Sequence, residues 1–330
     1  MAKIFVTRKI PGNALERLIT SRHEVSTSEF DRPLTPIELI EKGKGSDALL
    51  TLLTDKIDAE VLEAIGPQLK IISNYAVGFD NINIEDATNK NVLVTNTPSD
   101  EVNESVAEHT WALMLGLTRR IVEGDEAIRR GAYTGWEPNI FLGKNMTGKT
   151  IGIVGLGRIG TMVARRALGW NVKVVYTKRS RDESAEKELG IVFQEMDDLL
   201  GMSDFVTLHV PLTDETRHLM NKETFSKMKK GSYLINTARG PVVEENALVE
   251  ALKQGLMSGA ALDVFENEPN INPELINMEN VILTPHIASA TIEARDKMGE
   301  QAVDAILDFF SGKLPQNIVN KEFRTQKLDK

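Results

Sequence analysis

The segment 150–180 constrains the fold of this chain more than any other part of the sequence. It begins with an apolar, β-branched run over 150–155, which is typical of a buried parallel strand. The pattern G-x-G-x-x-G follows over 155–160, at the start of a stretch with helical spacing of apolar residues. A second apolar strand is predicted over 172–176. The segment therefore predicts a strand, a glycine-rich turn, a helix and a second strand.

A G-x-G-x-x-G pattern alone is weak evidence, because it also arises by chance in glycine-rich loops. Between a strand and a helix, in a unit of about 30 residues, it is the fingerprint of a dinucleotide site. The glycines permit a tight turn and let the backbone approach a pyrophosphate, while the helix N-terminus presents unpaired N–H groups to that charge. We therefore expect a bound dinucleotide. The alternative is a glycine-rich turn without a ligand.

The residues after the second strand bear on the choice of coenzyme. NAD sites usually place an acidic residue about 20 positions after the first glycine, where it accepts a hydrogen bond from the ribose 2′-OH. Here the segment 176–181 reads Tyr-Thr-Lys-Arg-Ser-Arg, and the first carboxylate is that of Asp182. Guanidinium and hydroxyl groups suit a 2′-phosphate, so the segment favours NADP(H), with NAD(H) as the lesser coenzyme. The alternative interpretation is a solvated charged loop.

Size and composition narrow the class of protein. A chain of 330 residues with a hydrophobic fraction of 41% predicts a soluble globular protein of two domains. The absence of cysteine excludes disulfides, thiolate metal sites and cysteine nucleophiles, and no other residues show metal-ligand spacing. The net charge of −9 argues against nucleic acid or an anionic membrane as a partner. No apolar stretch is long enough to span a membrane or to act as a signal peptide, so we expect a cytoplasmic protein.

Strand-like and helix-like segments alternate along the chain, which indicates an α/β protein with parallel sheets. The strands are predicted at 3–7, 24–28, 48–54, 70–76, 91–96, 150–155, 172–176, 205–210, 233–237, 260–264 and 281–283. We expect two doubly wound domains. Residues 1–98 and 288–330 would form a smaller, flavodoxin-like substrate domain, and residues 99–287 a Rossmann-type NAD(P)-binding domain.

A long helix is predicted over 101–130, with apolar residues around much of its middle. A surface helix normally carries its apolar residues on one face only. This helix is therefore expected to be buried between domains or between subunits, and we favour a homodimer. A further long helix is predicted over 290–310.

Three polar side chains lie directly after predicted strands in the second half of the chain. They are Arg239 in NTARG, Glu268 in LDVFENEP and His286 in LTPHIASA. Ligands of open parallel sheets bind outside the carboxyl ends of the strands, so these side chains could converge on one site. Taken singly, the arginine could form a structural ion pair, the glutamate could be a solvated turn residue, and the histidine could serve packing.

Together with GLGRIG, these three motifs resemble those of the D-isomer-specific 2-hydroxyacid dehydrogenases, in particular the glyoxylate/hydroxypyruvate reductases. The resemblance extends from about Ile4 to Asn320. The resemblance implies that His286 is the acid/base that protonates the substrate carbonyl as hydride arrives. It implies that Glu268 stabilises the imidazolium and fixes its tautomer, and that Arg239 binds the substrate carboxylate and polarises the carbonyl.

The resemblance also implies further binding residues. Those for the coenzyme are Leu156, Gly157, Arg158 and Ile159 at the pyrophosphate, Lys178, Arg179 and Ser180 at the 2′-phosphate, and Pro211, Thr216, Thr237, Ala238, Arg239, Asp263, His286 and Ala288 around the ribose and nicotinamide. Among these, Asp263 is implied to accept from the carboxamide. Those for the substrate are Leu52, the backbone N–H groups of Val77 and Gly78, Arg239, and Trp136 as an aromatic cap.

The sequence departs from the family pattern at two points: the acidic residue after the second strand is missing, and Ala288 replaces a glycine. Another 2-oxo acid, as in phosphoglycerate or D-lactate dehydrogenases, is an alternative substrate. A nucleotide-sensing binding protein on the same fold is a more distant alternative. Trp136 could instead be an aromatic buried between domains.

Overall fold

The computed structural model describes residues 1–323, which divide into two compact units. Unit 1 comprises residues 1–102 and 290–323, and unit 2 comprises residues 103–289. The predicted domain boundaries are near residues 98 and 287. The α/β fold class with two parallel sheets is confirmed.

Unit 1 contains a five-stranded parallel sheet with the strand order β2-β1-β3-β4-β5, which is the flavodoxin-like order. Its strands are β1 (Lys3–Val6), β2 (Glu24–Thr27), β3 (Ala48–Leu52), β4 (Ile71–Tyr75) and β5 (Leu93–Thr95). Its helices are α1 (Ala14–Ile19), α2 (Pro36–Gly43), α3 (Ala59–Ile65), α4 (Ile84–Asn89) and α13 (Ile292–Phe310). The helix α13 lies against β4, where the Ser73 hydroxyl donates to the carbonyl of Ala302 at 2.9 Å.

Unit 2 contains a seven-stranded parallel sheet with the order β12-β11-β10-β9-β6-β7-β8. Its strands are β6 (Thr150–Val154), β7 (Lys173–Thr177), β8 (Val192–Phe193), β9 (Phe205–Leu208), β10 (Ser232–Asn236), β11 (Met257–Leu262) and β12 (Val281–Leu283). Its helices are α5 (Asp100–Thr118), α6 (Ile121–Arg129), α7 (Arg158–Ala167), α8 (Glu183–Leu189), α9 (Met196–Met202), α10 (Lys222–Lys227), α11 (Glu245–Lys253) and α12 (Pro273–Ile276). The first residues of α5 belong to unit 1.

The strand order of unit 2 is the Rossmann order with one further strand at the β12 edge. The chain reverses its direction of growth between β6 and β9, which pair directly. In open α/β sheets, such a reversal leaves a crevice at the carboxyl ends of the strands. The turn after β6 is the one that carries the glycine pattern.

The prediction of one continuous helix over 101–130 was wrong. The helix α5 ends at Thr118, whose hydroxyl donates back to the carbonyl of Met114 at 2.9 Å, and α6 starts after Arg120. Arg120 has a φ of 52°, in the left-handed region, and its guanidinium binds Glu123 at 2.7 Å. Apolar periodicity continues across this break, so the sequence pattern could not reveal it.

Strand β8 was not predicted, because two residues are too few to show an alternation. Within residues 1–323, no helix combines the length and the apolar character that a membrane span requires.

Candidate active site

The glycine turn after β6 has the geometry of a phosphate cradle. Gly155 has a φ of 98°, and a Cβ on it would lie 2.6 Å from the carbonyl oxygen of His209. A Cβ on Gly157 would meet nothing within 4 Å, so this glycine leaves open space beside the turn. Gly157 is also the N-cap of α7 and makes no side-chain cap. The first N–H groups of α7 therefore have no side-chain cap, which suits an anionic pyrophosphate.

The predicted pyrophosphate residues lie on this turn and at the start of α7. The side chain of Leu156 is 4% exposed and packs in the core, so only its backbone is available to a ligand. Arg158 and Ile159 form the first turn of α7.

The basic segment after β7 is partly neutralised by its own carboxylates. The Lys178 ammonium lies 3.2 Å from Asp182, and the Arg181 guanidinium lies 2.6 Å from Glu186. Asp182 also accepts from the backbone N–H of Ala185 as the N-cap of α8. The pKa of Asp182 is lowered, first by this cap and then by Lys178. Its carboxylate is therefore already engaged.

Arg179 and Ser180 are exposed in the same segment. Arg179 makes no ion pair with any residue that the structure describes. Its charge helps to lower the pKa of Glu215, although the Thr213 hydroxyl is the larger cause. Arg179 is thus the cation of this segment that is available to a phosphate.

Arg239 follows β10 and is held by the strand's last residue. The side-chain amide of Asn236 donates to the Arg239 carbonyl at 2.9 Å, and its oxygen accepts from the N–H of Ala238 at 3.0 Å. The Arg239 guanidinium donates to the carbonyl of Ala238 at 2.7 Å. Asn236 is fully buried, and it closes the loop that presents the guanidinium.

His286 and Glu268 form a direct pair. Nδ1 of His286 lies 2.8 Å from Oε2 of Glu268, and the other carboxylate oxygen accepts from the N–H of Phe265 at 2.9 Å. A carboxylate only accepts, so Nδ1 carries a proton and donates it to Glu268. Nε2 is then the atom that exchanges protons with a ligand. His286 has a φ of 53°, in the left-handed region that histidine seldom adopts.

The fully buried carboxylate of Asp263 holds the turn that contains His286. Its oxygens accept from the Thr284 hydroxyl at 2.7 Å and from the N–H groups of Ile287 and Ala288, both at 2.8 Å. Burial raises the pKa of Asp263, but hydrogen bonds from His109, Thr284 and these N–H groups outweigh it and leave the pKa below its usual value. The carboxylate thus stays ionised in the interior of unit 2. A role toward a carboxamide stays a prediction.

The remaining predicted coenzyme residues of unit 2 lie in two loops. The Thr216 hydroxyl donates to the carbonyl of Pro211 at 2.6 Å in the loop after β9. Thr237 is buried beside Ala238, directly after β10.

Two predicted substrate residues of unit 1, Val77 and Gly78, follow β4 as adjacent backbone donors. Their carbonyls accept from the side-chain amides of Asn96 at 2.7 Å and Asn74 at 3.0 Å, respectively. Neither of their N–H groups donates to an acceptor among residues 1–323. Two adjacent unpaired N–H groups suit a carboxylate. Leu52 ends β3, where its N–H donates to Asp55 at 2.8 Å.

Trp136 lies between α6 and β6, in a stretch without helix or strand. Its side chain is 82% exposed. The alternative of a buried aromatic is therefore wrong for this chain, and a capping role stays a prediction.

Comparisons with known proteins identify the family of this chain. The sequence model of the "D-isomer specific 2-hydroxyacid dehydrogenase, NAD binding domain" matches residues 111–288. The chain is 47% identical to a glyoxylate reductase from Pyrococcus furiosus, over 97% of this chain and 96% of that protein. The chain belongs to the D-isomer-specific 2-hydroxyacid dehydrogenase family. The resemblance noted from the motifs is thereby confirmed.

Solved structures share the fold over almost the whole chain. A protein from Thermus thermophilus superposes with a TM-score of 0.89 at 40% identity, covering 96% of this chain and 99% of that one. The NADPH-dependent glyoxylate/hydroxypyruvate reductase from Sinorhizobium meliloti, in complex with NADP and malonate, superposes with a TM-score of 0.85 at 31% identity and covers 96% of each chain.

Sequence reasoning missed the residues that support the site of this dehydrogenase. Asn236 was read as part of an apolar strand, and Thr284 as part of a motif. A polar residue at the last position of a buried strand is a usable signal, because burial requires it to find a partner. Within the described part of the chain, no group of three or more His, Asp or Glu side chains could hold a metal ion.

Proposed function

We propose that this dehydrogenase is an NADP(H)-preferring reductase of glyoxylate, with hydroxypyruvate as a second substrate. The observation that carries the proposal is the 2.8 Å pair between His286, directly beyond β12, and Glu268, in the loop after β11. A histidine whose Nδ1 is fixed by a carboxylate can exchange a proton through Nε2. The relative from Pyrococcus furiosus is named a glyoxylate reductase, which supports the choice of substrate.

The coenzyme would be held by the glycine turn of unit 2 and the loops beyond β9, β10 and β12. The N–H groups at the start of α7 would bind the pyrophosphate. Pro211 and Thr216, the backbone of 237–239, and the segment 286–288 would flank the ribose and nicotinamide. When bound, the reduced nicotinamide supplies a hydride to the carbonyl carbon of the substrate.

The substrate would be fixed by its carboxylate. Arg239 offers a guanidinium fork for bidentate binding. Holding a two-carbon acid in this way orients one face of its carbonyl. His286 would deliver a proton from Nε2 to the carbonyl oxygen, and Arg239 would stabilise the charge that develops there. In the reverse direction, His286 would accept that proton.

The preference for NADP(H) is proposed from the segment after β7. Arg179 and Ser180 are exposed there, whereas the nearest carboxylate, Asp182, is engaged with Lys178 and the N-terminus of α8. An engaged carboxylate is poorly placed to accept from a ribose hydroxyl. A free guanidinium and a hydroxyl group suit a 2′-phosphate.

Substitution of Arg179 by alanine should lower kcat/KM with NADPH roughly 10- to 100-fold, the size of one charge-assisted hydrogen bond, and leave kcat/KM with NADH unchanged. Arg181→Ala is the matched control, since Arg181 is two residues away but bound to Glu186 at 2.6 Å. Initial rates with both coenzymes provide the measurement. A wild-type enzyme that prefers NADH, or equal losses in the two variants, would refute the assignment.

Initial rates with glyoxylate, hydroxypyruvate, pyruvate and 3-phosphohydroxypyruvate, each with both coenzymes, test the proposed substrate. We expect the highest kcat/KM with glyoxylate and NADPH. A clear preference for pyruvate or for the phosphorylated acid would instead indicate a D-lactate or phosphoglycerate dehydrogenase. Tight coenzyme binding without turnover of any of the four acids would indicate a nucleotide-sensing protein.

We also propose that the chain forms a homodimer. Helix α6 has no buried residue, and Ile121 and Ile128 are 58% and 57% exposed on it. Apolar side chains in such an exposed group are typical of surfaces that bind another protein.

A further inference from the structure

Three polar side chains of α5 contact two loops of unit 2, the one that carries Arg239 and the one that carries His286. The Ser105 hydroxyl donates to the carbonyl of Ala288 at 2.8 Å. His109 Nε2 lies 3.1 Å from the Thr284 hydroxyl, and the Thr110 hydroxyl lies 3.0 Å from that of Thr237. Ser105 and His109 are four residues apart, so they lie on one face of the helix. They contact the His286 turn on either side of the histidine.

The proton positions in the His109 contact follow from counting donors. The Thr284 hydroxyl has one proton, and it donates that proton to Oδ1 of Asp263 at 2.7 Å. The Thr284 oxygen must therefore accept from His109, so Nε2 of His109 carries a proton. The same nitrogen lies 3.5 Å from Oδ1 of Asp263. A chain of donors thus runs from His109 through Thr284 to Asp263.

This series of hydrogen bonds ends on the backbone of the His286 turn. Asp263 accepts from the N–H groups of Ile287 and Ala288, and its own carbonyl accepts from the N–H of His286 at 2.8 Å. A left-handed backbone at a histidine is strained and persists only where its surroundings hold it. The Ser105 contact fixes the last carbonyl of the same turn.

We propose that His109 and Ser105 are positioning residues that hold His286 in its left-handed conformation, with Nε2 directed at the substrate. Thr110 is the corresponding positioning residue for the loop that carries Arg239. The Thr110 hydroxyl donates to the carbonyl of Val106 at 2.8 Å, so Thr237 donates to it. The polar face of α5 is then a common support for the acid/base and the carboxylate-binding arginine. This inference rests on the proposed role of His286.

The first test is a pair of variants at His109. In His109→Leu, kcat should fall about 10-fold, because coupled contacts of this kind have effects of that size. The dissociation constant for NADPH, from fluorescence titration, should not change. His109→Gln should restore most of the rate, since its amide can still donate to Thr284. Equal loss in both variants, or loss of coenzyme binding together with rate, would overturn the proposal.

A double-mutant cycle separates positioning from general stabilisation. In a His286→Asn background, His109→Leu should lower kcat no further, because the group that it positions is gone. If the kcat losses of the two single variants multiply in the double variant, His109 acts independently of His286. The cycle uses the 2-oxo acid that the wild-type enzyme turns over fastest, so it does not depend on glyoxylate.

A measurement on the free wild-type protein requires no substrate. Nitrogen-15 NMR of the histidine rings should show His109 as the Nε2–H tautomer, with His109→Gln identifying its signals. The Nδ1–H tautomer would overturn the donor chain even in an active enzyme. Failure of all four acids to react would instead refute the proposed function, while leaving the tautomer result intact.

Discussion

Replacement of His286 by asparagine should lower kcat for 2-oxo acid reduction by about 10²- to 10⁴-fold, the range for loss of a general acid. The dissociation constant for NADPH should change far less than kcat. Asparagine is the informative replacement, because His286 has a φ of 53° and asparagine tolerates the left-handed region better than alanine. Its amide can also still donate to Glu268. The loss should therefore report the missing proton donor.

The matched control is His218→Asn. His218 also has a positive φ, 51°, and also binds a glutamate, Glu266, at 2.6 Å. It thus reproduces the backbone conformation and the carboxylate partner of His286 in the same unit. We expect single-turnover rates of hydride transfer to fall only for His286→Asn. Comparable losses in both variants would indicate a structural effect and would contradict the acid/base assignment.

Replacement of Arg239 by lysine should lower kcat/KM for glyoxylate roughly 10- to 100-fold, with most of the effect in KM. Lysine retains the charge but cannot form the two parallel hydrogen bonds of a guanidinium with a carboxylate. NADPH binding should be preserved, because Asn236 fixes the Arg239 loop through backbone atoms, which lysine retains. Steady-state kinetics and coenzyme titration together measure this split.

Arg165→Lys serves as the control for this substitution. Arg165 is a surface arginine of α7 that binds Glu188 at 2.6 Å. Its replacement should leave kcat/KM unchanged. If Arg239→Lys retained full kcat/KM for glyoxylate, the substrate carboxylate would have to be bound elsewhere.

The sequence predicted most of the fold because the fold depends on local apolar patterns. Buried parallel strands such as β6 and β9 appear as short apolar runs, and the glycine turn between β6 and α7 has a fixed spacing. The doubly wound class of the two domains followed from the alternation of strands and helices together with the family resemblance.

The supports of the site could not be predicted, because they depend on contacts between distant segments. Asp263 and His109 are far apart in the sequence, and the contacts of His109 with Thr284 and Asp263 leave no local signature. The left-handed backbone at His286 could not be predicted either, because a histidine that follows a proline gives no signal for a positive φ. The end of α5 at Thr118 depends on the conformation of Arg120, which apolar periodicity does not report.

The pH dependence of kcat/KM in both directions tests the central claim most directly. Reduction requires His286 to hold a proton on Nε2, and oxidation of the 2-hydroxy acid requires it to lack one. We therefore predict that kcat/KM for reduction falls as pH rises, that kcat/KM for oxidation falls as pH drops, and that His286→Asn abolishes both dependences. The same pH dependence in both directions, or its retention in the variant, would contradict the assignment of His286 as the acid/base.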